Sequence, residues 1–314
     1  MTAPLLTTHH QTGPTASAQA ASGPAHGAPP HSLRAHRRAP LPATLATVAG
    51  ALAAGVLAVA APSAWAQAQS ATASAAQEGQ GSASSSSSQW GLGVGVGVSE
   101  RAYLGADRKV SGLPLIFYEN TWVRVAGTTA EAKLLNHAFT SNQRVTGGLL
   151  LKYVGDGYKA SDSSALAGMA ERKGGLMGGA GLTWHNPIAK LSMEWTTDLS
   201  DHSKGQRLQV QADRRFQFGV ASITPRLGAQ WMDRKWVDYY YGVRASEATV
   251  NRAAYQADAG VALEAGVRVD YAIQKQHVIF LDLGVTHLPK EATNSPIVDR
   301  SNLPRAAVGY LYRF

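Results

Sequence analysis

Apolar and polar side chains alternate along most of the chain from residue 89 to its last residue. The longest regular run extends from Tyr255 to Tyr271, where odd positions are apolar and even positions are polar or small. Successive side chains of a β-strand point to opposite faces, so this period predicts one strand with an apolar and a polar face. A run of about 17 residues far exceeds an ordinary strand of about five or six, and its aromatic ends suggest a crossing between two membrane interfaces.

The same alternation recurs along the chain and predicts an all-β fold of about ten to twelve strands, with twelve preferred. Short turns and longer loops alternate between the strands, as in a transmembrane, antiparallel up-and-down β-barrel. A soluble sandwich with one wet face is the alternative; the strand lengths, a secretion signal and the aromatic C-terminal residue favour the barrel. The predicted strands are 89–98, 113–119, 121–127, 131–137, 144–153, 174–185, 189–198, 206–217, 219–231, 255–271, 276–287 and 304–314.

Two further segments precede the predicted barrel. Three arginines stand before a mostly apolar run at residues 41–62, and Ala-Trp-Ala follows at 64–66. This order predicts a cleaved secretory signal peptide, with a single membrane anchor as the alternative. We therefore predict an N-terminal extension and signal peptide in 1–66, a disordered Ala/Ser/Gln-rich leader in 67–88 and an outer-membrane β-barrel in 89–314.

Composition narrows the class of function. The 314 residues are 16% charged and include no cysteine, which excludes a disulfide scaffold, a zinc finger, an iron–sulfur protein and a thiol enzyme. The mean hydropathy is slightly negative, which excludes a polytopic helical membrane protein. Because residues 1–66 contain three arginines and no acidic residue, the rest of the chain has a formal net charge of +5. That charge is too diffuse to indicate a nucleic-acid partner.

Charged residues on the polar faces of the strands are predicted to point into the lumen. Buried charges must be paired or hydrated, and both signs occur, so we predict cross-strand ion pairs that fill most of a narrow lumen. A small selective channel is the alternative, because twelve strands lie between filled eight-stranded and open sixteen-stranded barrels. The predicted lumen charges are Glu194, Asp213, Arg215, Arg226, Asp258, Glu264, Arg268, Asp270 and Asp282.

The sequence contains no pattern typical of a metal, cofactor or nucleotide site. The glycine-rich segment 91–97 does not match G-x-G-x-x-G, and glycines on the lumen face of a curved strand explain it better. Ser200, Asp201 and His202 adjoin in a polar loop, which is not in itself a catalytic arrangement. We therefore predict no cofactor, no metal and no enzymatic activity.

Aromatic and basic residues point to the outer membrane. The chain ends on Tyr310, Tyr312 and Phe314, all on one face of a strand, which resembles the signal read by the barrel-assembly machinery. We predict that aromatic residues near the start of one outer loop belong to the outer girdle. Basic loop residues, Arg172 and Arg252 among them, are predicted either to pair with lipopolysaccharide phosphates or to be ordinary solvated loop charges. The predicted girdle residues are Trp231, Trp236, Tyr239, Tyr240 and Tyr241.

Several segments together resemble one family. Residues 231–243 read WMDRKWVDYYYGV and residues 294–300 read NSPIVDR; the barrel opens with GLGVGVGVSERAYLGADRKVSGLPLIFYE and ends with AVGYLYRF. Over roughly residues 90–314 the chain is similar to the MipA/OmpV family, named for the MltA-interacting protein. The resemblance implies an outer-membrane barrel and a scaffold between a murein lytic transglycosylase and a peptidoglycan synthase. Other members are described as adhesins or porin-like proteins, so a surface adhesin and a small porin-like channel remain alternatives.

The family motifs lie in or beside predicted outer loops, whereas a murein enzyme approaches from the periplasm. We therefore expect these motifs to pack together over the barrel mouth rather than to bind a ligand. The residues concerned are Tyr239, Tyr240, Tyr241, Gly242, Val243, Ser295, Pro296, Ile297, Val298, Asp299 and Arg300.

Overall fold

Thirteen antiparallel strands follow one another along residues 88–314, the part of the chain that the computed structural model describes. Two short α-helices lie in the loops, α1 (Arg234–Tyr241) and α2 (Lys290–Thr293). Three 3₁₀ helices lie there as well, at Ala160–Asp162, Ser164–Leu166 and Ala245–Glu247. None of the described helices is long and apolar enough to cross a membrane. The strands are β1 (Gln89–Ser99), β2 (Lys109–Glu119), β3 (Val123–Ala126), β4 (Thr129–Thr140), β5 (Gln143–Val154), β6 (Gly175–His185), β7 (Lys190–Asp198), β8 (Gln206–Asp213), β9 (Phe216–Phe218), β10 (Ala221–Met232), β11 (Gly260–Ala272), β12 (His277–His287) and β13 (Asn302–Arg313).

The hydrogen-bonded ladder of these strands closes on itself. β1 pairs with β2 on one side and with β13 on the other, and β10 joins β8 to β11. β8 and β9 keep one register along β10. The ladder is interrupted between them where Arg214 lies opposite Pro225, which has no backbone N–H to donate. β8 and β9 therefore occupy one position in the wall, and the barrel has twelve strand positions.

This architecture confirms the predicted all-β, antiparallel barrel of twelve strands. Residues 121–137 form two strands, as predicted, because Gly127 takes a φ of 55° in the tight turn between β3 and β4, a conformation that glycine adopts without strain. The predicted signal peptide (1–66) and leader (67–88) lie outside the described residues, apart from Ser88.

The longest predicted strand is wrong at its N-terminal end. β11 begins at Gly260, not at Tyr255. Ala257 is fully buried, and the Tyr255 hydroxyl donates to the backbone oxygen of Glu291 at 2.9 Å. The alternation at 255–259 therefore reflects packing among loops, which a period of two does not distinguish from a strand. β2 also begins earlier than predicted, at Lys109.

Opposite faces of the wall meet different surroundings. The outer face exposes apolar side chains such as Leu263, Leu281 and Leu283, as a lipid-facing band requires. Inside, a buried apolar cluster fills part of the lumen. The cluster contains Leu113, Leu115, Phe280, Ala307 and Leu311.

Inward-facing glycines make room for this apolar cluster. A Cβ atom added to Gly91 would lie 3.3 Å from Leu311, and one added to Gly309 would lie 2.6 Å from the ring of Phe280. The glycine-rich face of β1 is therefore a packing feature of the lumen.

The two ends of the barrel differ in their connections. At one end the turns are short, and the N–H of Phe314 donates to the backbone oxygen of Trp90 at 3.0 Å, which brings both chain ends of the barrel together. At the other end lie four long loops, 100–108, 155–174, 233–259 and 288–301. Short turns of outer-membrane barrels face the periplasm, so the long loops are on the outer side.

Replacing Phe280 by alanine should lower the free energy of unfolding by about 3 kcal/mol, because it removes the ring that fills the lumen opposite Gly309. The measurement is the urea midpoint of the barrel refolded in detergent, followed by tryptophan emission. The matched control is Leu281→Ala, whose side chain faces outward and should cost less. Equal losses for the two variants would contradict the packed lumen.

Candidate functional site: a capped lumen with paired charges

The four long outer loops fold over the mouth of the barrel and bury a core of their own. We call residues 100–108, 155–174, 233–259 and 288–301 the cap. Leu166 and Ile297, from two different loops, are fully buried in one cluster with Tyr103 and Val243. A second cluster joins α1 to the upper strands, with Val237 fully buried. The loops thus form a packed layer across the outer mouth.

Helix α1 is positioned at both ends. Asp233 accepts a hydrogen bond from the backbone N–H of Trp236 at 2.8 Å, which satisfies one of the N–H groups that a helix start leaves without a partner. At the other end, the Gly242 N–H donates to the backbone oxygen of Asp238 at 2.8 Å. The apolar side of this short helix then faces the lumen.

The two family motifs meet within the cap. The Ser295 hydroxyl donates to the backbone oxygen of Tyr241 at 2.5 Å, and Tyr241 and Val298 pack against the cluster that contains Ile297 and Val243. Tyr239 accepts from Arg172 through its backbone oxygen at 2.8 Å. The segment from Tyr239 to Val243 is thereby joined to the loop that carries Ser295 and to the loop that carries Arg172.

The remaining motif residues differ in their surroundings. Arg300 pairs with Glu100 at 3.3 Å and so connects two cap loops, while the Asp299 N–H donates to the backbone oxygen of Ala102 at 3.1 Å. Pro296 is partly exposed and Gly242 is buried at the end of α1.

The predicted aromatic girdle is wrong for the helix residues. Trp236 and Tyr240 are each only 3% exposed and lie in the cap core, and the Tyr240 hydroxyl donates to the backbone oxygen of Lys173 at 3.1 Å. Trp231 alone among the five predicted residues combines a strand position with an exposed ring. The helical turn after Met232 redirects the following aromatics inward, and the sequence pattern gave no sign of it.

Two arginines expected to face lipopolysaccharide are instead buried in the cap. Arg172 donates to both carboxylate oxygens of Glu247, at 3.0 and 2.8 Å, and Arg252 donates to the backbone oxygens of Ala167 and Glu247. A bidentate, charge-assisted pair of this kind is among the stronger hydrogen-bonding arrangements. Both arginines therefore hold cap loops together.

The carboxylate of Glu247 is electrostatically stabilised in this position. Burial by itself raises its pKa, but the hydrogen bonds from Arg172 and from two backbone N–H groups outweigh burial and lower the pKa to about 2. The same pairing raises the pKa of Arg172, although burial opposes it. The cap is consequently held by a pair that stays ionised at neutral pH.

Most of the predicted lumen charges form ion pairs. Lys190 pairs with Asp213 at 2.9 Å, Arg268 with Asp270 at 2.8 Å, and Lys152 with Glu194. The alternation also predicts an inward side chain for Lys152, whereas Lys190 was not among the predicted residues. Their side chains lie on the same inward faces as the predicted acids, so cross-strand register was the missing information.

A cluster of four buried, charged side chains extends across β10 to β13. Arg226 donates two hydrogen bonds of 2.8 Å to Asp282 and one of 3.3 Å to Glu264, and Arg305 pairs with the same oxygen of Glu264. All four side chains are almost completely buried. Two arginines and two acids thus form one neutral cluster.

Glycines provide the space for the two guanidinium groups. Gly266 pairs with Arg226 across β10 and β11, and Gly284 pairs with Arg305 across β12 and β13. A Cβ at Gly266 would lie 2.7 Å from the guanidinium carbon of Arg226, and one at Gly284 would lie 2.9 Å from that of Arg305. Each guanidinium therefore lies flat against a strand backbone.

One predicted lumen charge lies in the cap, and another lies at the periplasmic end of the wall. Asp258 is in the loop before β11, with a side chain 79% exposed that pairs with Arg234 at 3.6 Å. Arg215 lies in the break between β8 and β9, partly exposed, and donates to Gln217 at 3.2 Å. Asp258 was predicted from an alternation that belongs to a cap loop. Arg215 was predicted from a continuous strand, which Pro225 interrupts.

The serine, aspartate and histidine that adjoin in sequence do not assemble. The Ser200 hydroxyl accepts from the Leu176 N–H at 2.5 Å, the His202 Nδ1 lies 2.8 Å from the Gly174 oxygen, and Asp201 pairs with Lys204. No hydrogen bond joins the three to one another within residues 88–314. Over the same residues, no group of three histidine or acidic side chains is placed to hold a metal ion.

The predicted assembly-signal residues lie at the periplasmic end of β13. The Tyr310 hydroxyl is 2.6 Å from Nδ1 of His277, and the rings of Tyr312 and Phe314 meet edge to face at 4.8 Å. Phe314 is largely exposed.

A cavity of about 160 Å³ lies between the cap and the lumen charges. Trp236 and Tyr241 of the cap border it, and Arg207, Glu264 and Arg305 of the strands line it. A cavity needs about 10–15 Å³ of such volume to hold one water molecule, so this one has room for several waters or for a small solute.

A closed antiparallel wall, an apolar outer face and a capped outer mouth define an outer-membrane β-barrel protein. The sequence model of one family, described as "MltA-interacting protein MipA", matches residues 92–314. The chain belongs to this family.

Named relatives agree with this assignment. The MltA-interacting protein of Escherichia coli K12 is 28% identical over 220 residues, which is 68% of this chain and 86% of that protein. The outer membrane protein OmpV of Vibrio cholerae is 28% identical over 185 residues, which is 58% of this chain and 72% of that protein. The predicted MipA/OmpV resemblance and the outer-membrane location are confirmed.

Replacing Glu247 by glutamine should make the cap less stable and should remove the pH dependence of its stability between pH 3 and 7. The pKa of Glu247 is depressed in the folded cap. The ionised carboxylate therefore stabilises the cap fully above a pH of about 4.3, the ordinary pKa of a glutamate, and this stabilisation is lost as the pH falls towards 2. Urea opening of the cap is measured between pH 3 and 7 with a dye on Val250→Cys, a fully exposed position in a chain without cysteine. Asp258→Asn, an exposed carboxylate of the same loop, is the control and should change little.

Replacing Arg226 by methionine should lower the free energy of unfolding by about 3–5 kcal/mol, because it leaves Asp282 buried without its partner. The double variant Arg226→Met/Asp282→Leu should lose less than this single variant, since Glu264 keeps Arg305. Urea unfolding of the three proteins measures the difference. A double variant that loses as much as the single variant, or more, would show that the two side chains do not act as a pair.

Proposed function

We propose that this outer-membrane barrel is a periplasm-facing scaffold that holds a murein lytic transglycosylase and, through it, a peptidoglycan synthase. Membership of the MipA family supports the proposal, as does the name of the 28%-identical Escherichia coli relative, an MltA-interacting protein. A partner of this kind requires a binding surface at the periplasmic end of the barrel.

The hairpin of β4 and β5 is the observation that carries the proposal. Every residue from 134 to 142 is exposed. Side chains along a strand of a barrel wall alternate between the lumen and the outer face, so buried and exposed residues normally alternate there. Nine consecutive exposed residues indicate that the hairpin extends beyond the wall, and its tip lies at the end with the short turns.

One edge of this hairpin lacks a neighbouring strand. β3 pairs with β4 only from Thr129 to Ala132, whereas β4 continues to Thr140 and there pairs only with β5 among the described strands. An exposed strand edge presents unpaired N–H and C=O groups, to which an extended segment of a partner can add as a further strand.

Apolar side chains border this edge. Leu134 is 72% exposed, Phe139 is 60% exposed, and Trp122 in the adjoining β2–β3 turn is 68% exposed. The step between Lys133 and Leu135 is a register shift, so Leu134 stands outside the regular alternation. An apolar surface beside an open edge provides both the main-chain bonds and the side-chain contacts of a protein interface.

The outer end of the barrel gives little support to a channel function. The cap core closes the mouth, and the apolar cluster around Phe280 and Leu311 fills part of the lumen below. These features favour the scaffold over a porin-like channel. Contact with lipopolysaccharide and with the barrel-assembly machinery remains a prediction.

The test is direct binding of a purified murein lytic transglycosylase from the same cell to the barrel in detergent, measured by biolayer interferometry. We expect saturable binding that falls at least about tenfold in the variant Leu134→Ser/Phe139→Ser. Val220→Ser, an exposed apolar residue in another short turn, is the matched control and should bind as the wild type does.

Heat-modifiable migration in gels verifies that each variant is folded. Absence of saturable binding by the wild-type barrel would overturn the scaffold proposal. Equal binding by the hairpin variant and the control would show that the hairpin is not the binding surface. Ion conductance by the wild-type barrel in planar bilayers, without transglycosylase binding, would favour the channel.

A further inference from the structure

The cavity beneath the cap contains positive charge that the protein does not neutralise. Arg207 of β8 lines it and is only 8% exposed. Its Nε is buried without a hydrogen-bond partner, and among residues 88–314 no ion pair joins Arg207 to a carboxylate. A guanidinium removed from water in this way is costly unless another group pairs with it.

The cap fixes the position of this arginine. The guanidinium carbon lies 4.7 Å from the centre of the Trp236 ring, on the first turn of α1. Stacking of this kind satisfies the face of the guanidinium and leaves its N–H groups, which lie in the plane, directed elsewhere. Arg207 is thereby held in place by an aromatic ring, with no carboxylate of the described residues at ion-pair distance.

The other charges on the cavity wall are largely matched. Glu264 accepts from Arg226 and Arg305, and Glu100 pairs with Arg108 and Arg300. Arg101 pairs with Asp162 at 2.6 Å. These groups leave little net charge.

Two cations and one acid remain on the wall. The side chain of Lys109, like that of Arg207, forms no hydrogen bond or ion pair with any described residue, and Asp156 is the remaining acidic group that lines the cavity. Counting Asp156 against either cation still leaves one positive charge in a space of about 160 Å³.

We infer that this cavity binds a small oxyanion, a carboxylate or phosphate group, at Arg207, with Lys109 on the same cavity wall. The planar fork of an arginine matches two oxygens of such a group, and a lysine adds a point charge. The volume is below the 300–1,000 Å³ typical of sites for drug-sized ligands, so the ligand is a small ion or a single charged head of a larger molecule. The site is independent of the proposed scaffold surface, which lies at the other end of the barrel.

The test is a titration of the full-length mature barrel in dodecyl maltoside with inorganic phosphate. Because Trp236 stacks on Arg207, binding should change tryptophan emission saturably, and Trp236→Phe should remove that change. Arg207→Gln should weaken binding at least tenfold, and Arg207→Lys, which keeps the charge without the fork, should weaken it less. Arg215→Gln, at the periplasmic end, is the matched control and should bind as the wild type does.

Each variant is first examined for heat-modifiable migration; should Arg207→Gln not fold, Lys109→Gln takes its place with at least a fivefold loss expected. Equal phosphate binding by the wild type and the tested cavity variant, or an emission change that sodium chloride at the same ionic strength reproduces, would overturn the site and leave a water-filled cavity. Nanodiscs with lipopolysaccharide distinguish the source of the anion. An Arg207-dependent emission change in these discs that free phosphate does not reproduce in detergent would assign the site to a lipid phosphate.

Discussion

Hydrocarbon cannot hydrogen-bond to a polypeptide backbone, so every N–H and C=O group inside a membrane must be paired within the protein. The pairing of β1 with β13 meets this constraint by leaving the sheet without a lateral edge. Departures from the ladder are few. Pro225 interrupts it opposite Arg214, and the short β3 leaves the far part of β4 open on one side, towards the end where water replaces lipid.

Closure creates a second constraint, because a twelve-stranded wall encloses more space than ordinary side chains fill. The protein fills it with guanidinium groups laid on glycines and with an apolar cluster against the glycine face of β1. Arg226 with Asp282 shows why the charges are tolerated: each buried group has its counter-charge at hydrogen-bond distance. Arg207 departs from this pattern, since an aromatic ring and a cavity take the place of a carboxylate.

The cap explains why the sequence motifs of this family need not be ligand sites. Tyr241 and Ser295 bond to each other, and Arg172 with Glu247 ties a third segment to them. Their positions are fixed by packing over the outer mouth. The surface on which we propose that another protein binds is at the other end, where the β4–β5 hairpin projects.

The sequence by itself determined the fold class, the number of strand positions, most inward charges and the family, because a period of two and the alternation of short and long connections are local properties. It did not determine that Tyr255, Ala257 and Asp258 belong to the cap, since buried loop packing can produce the same alternation as a strand. Only the tertiary structure decided which lysine or arginine pairs with which acid, that Trp236 and Tyr240 turn inward, and that Arg207 is left beside a cavity. These depend on cross-strand register and on contacts between loops more than fifty residues apart, which no local pattern encodes.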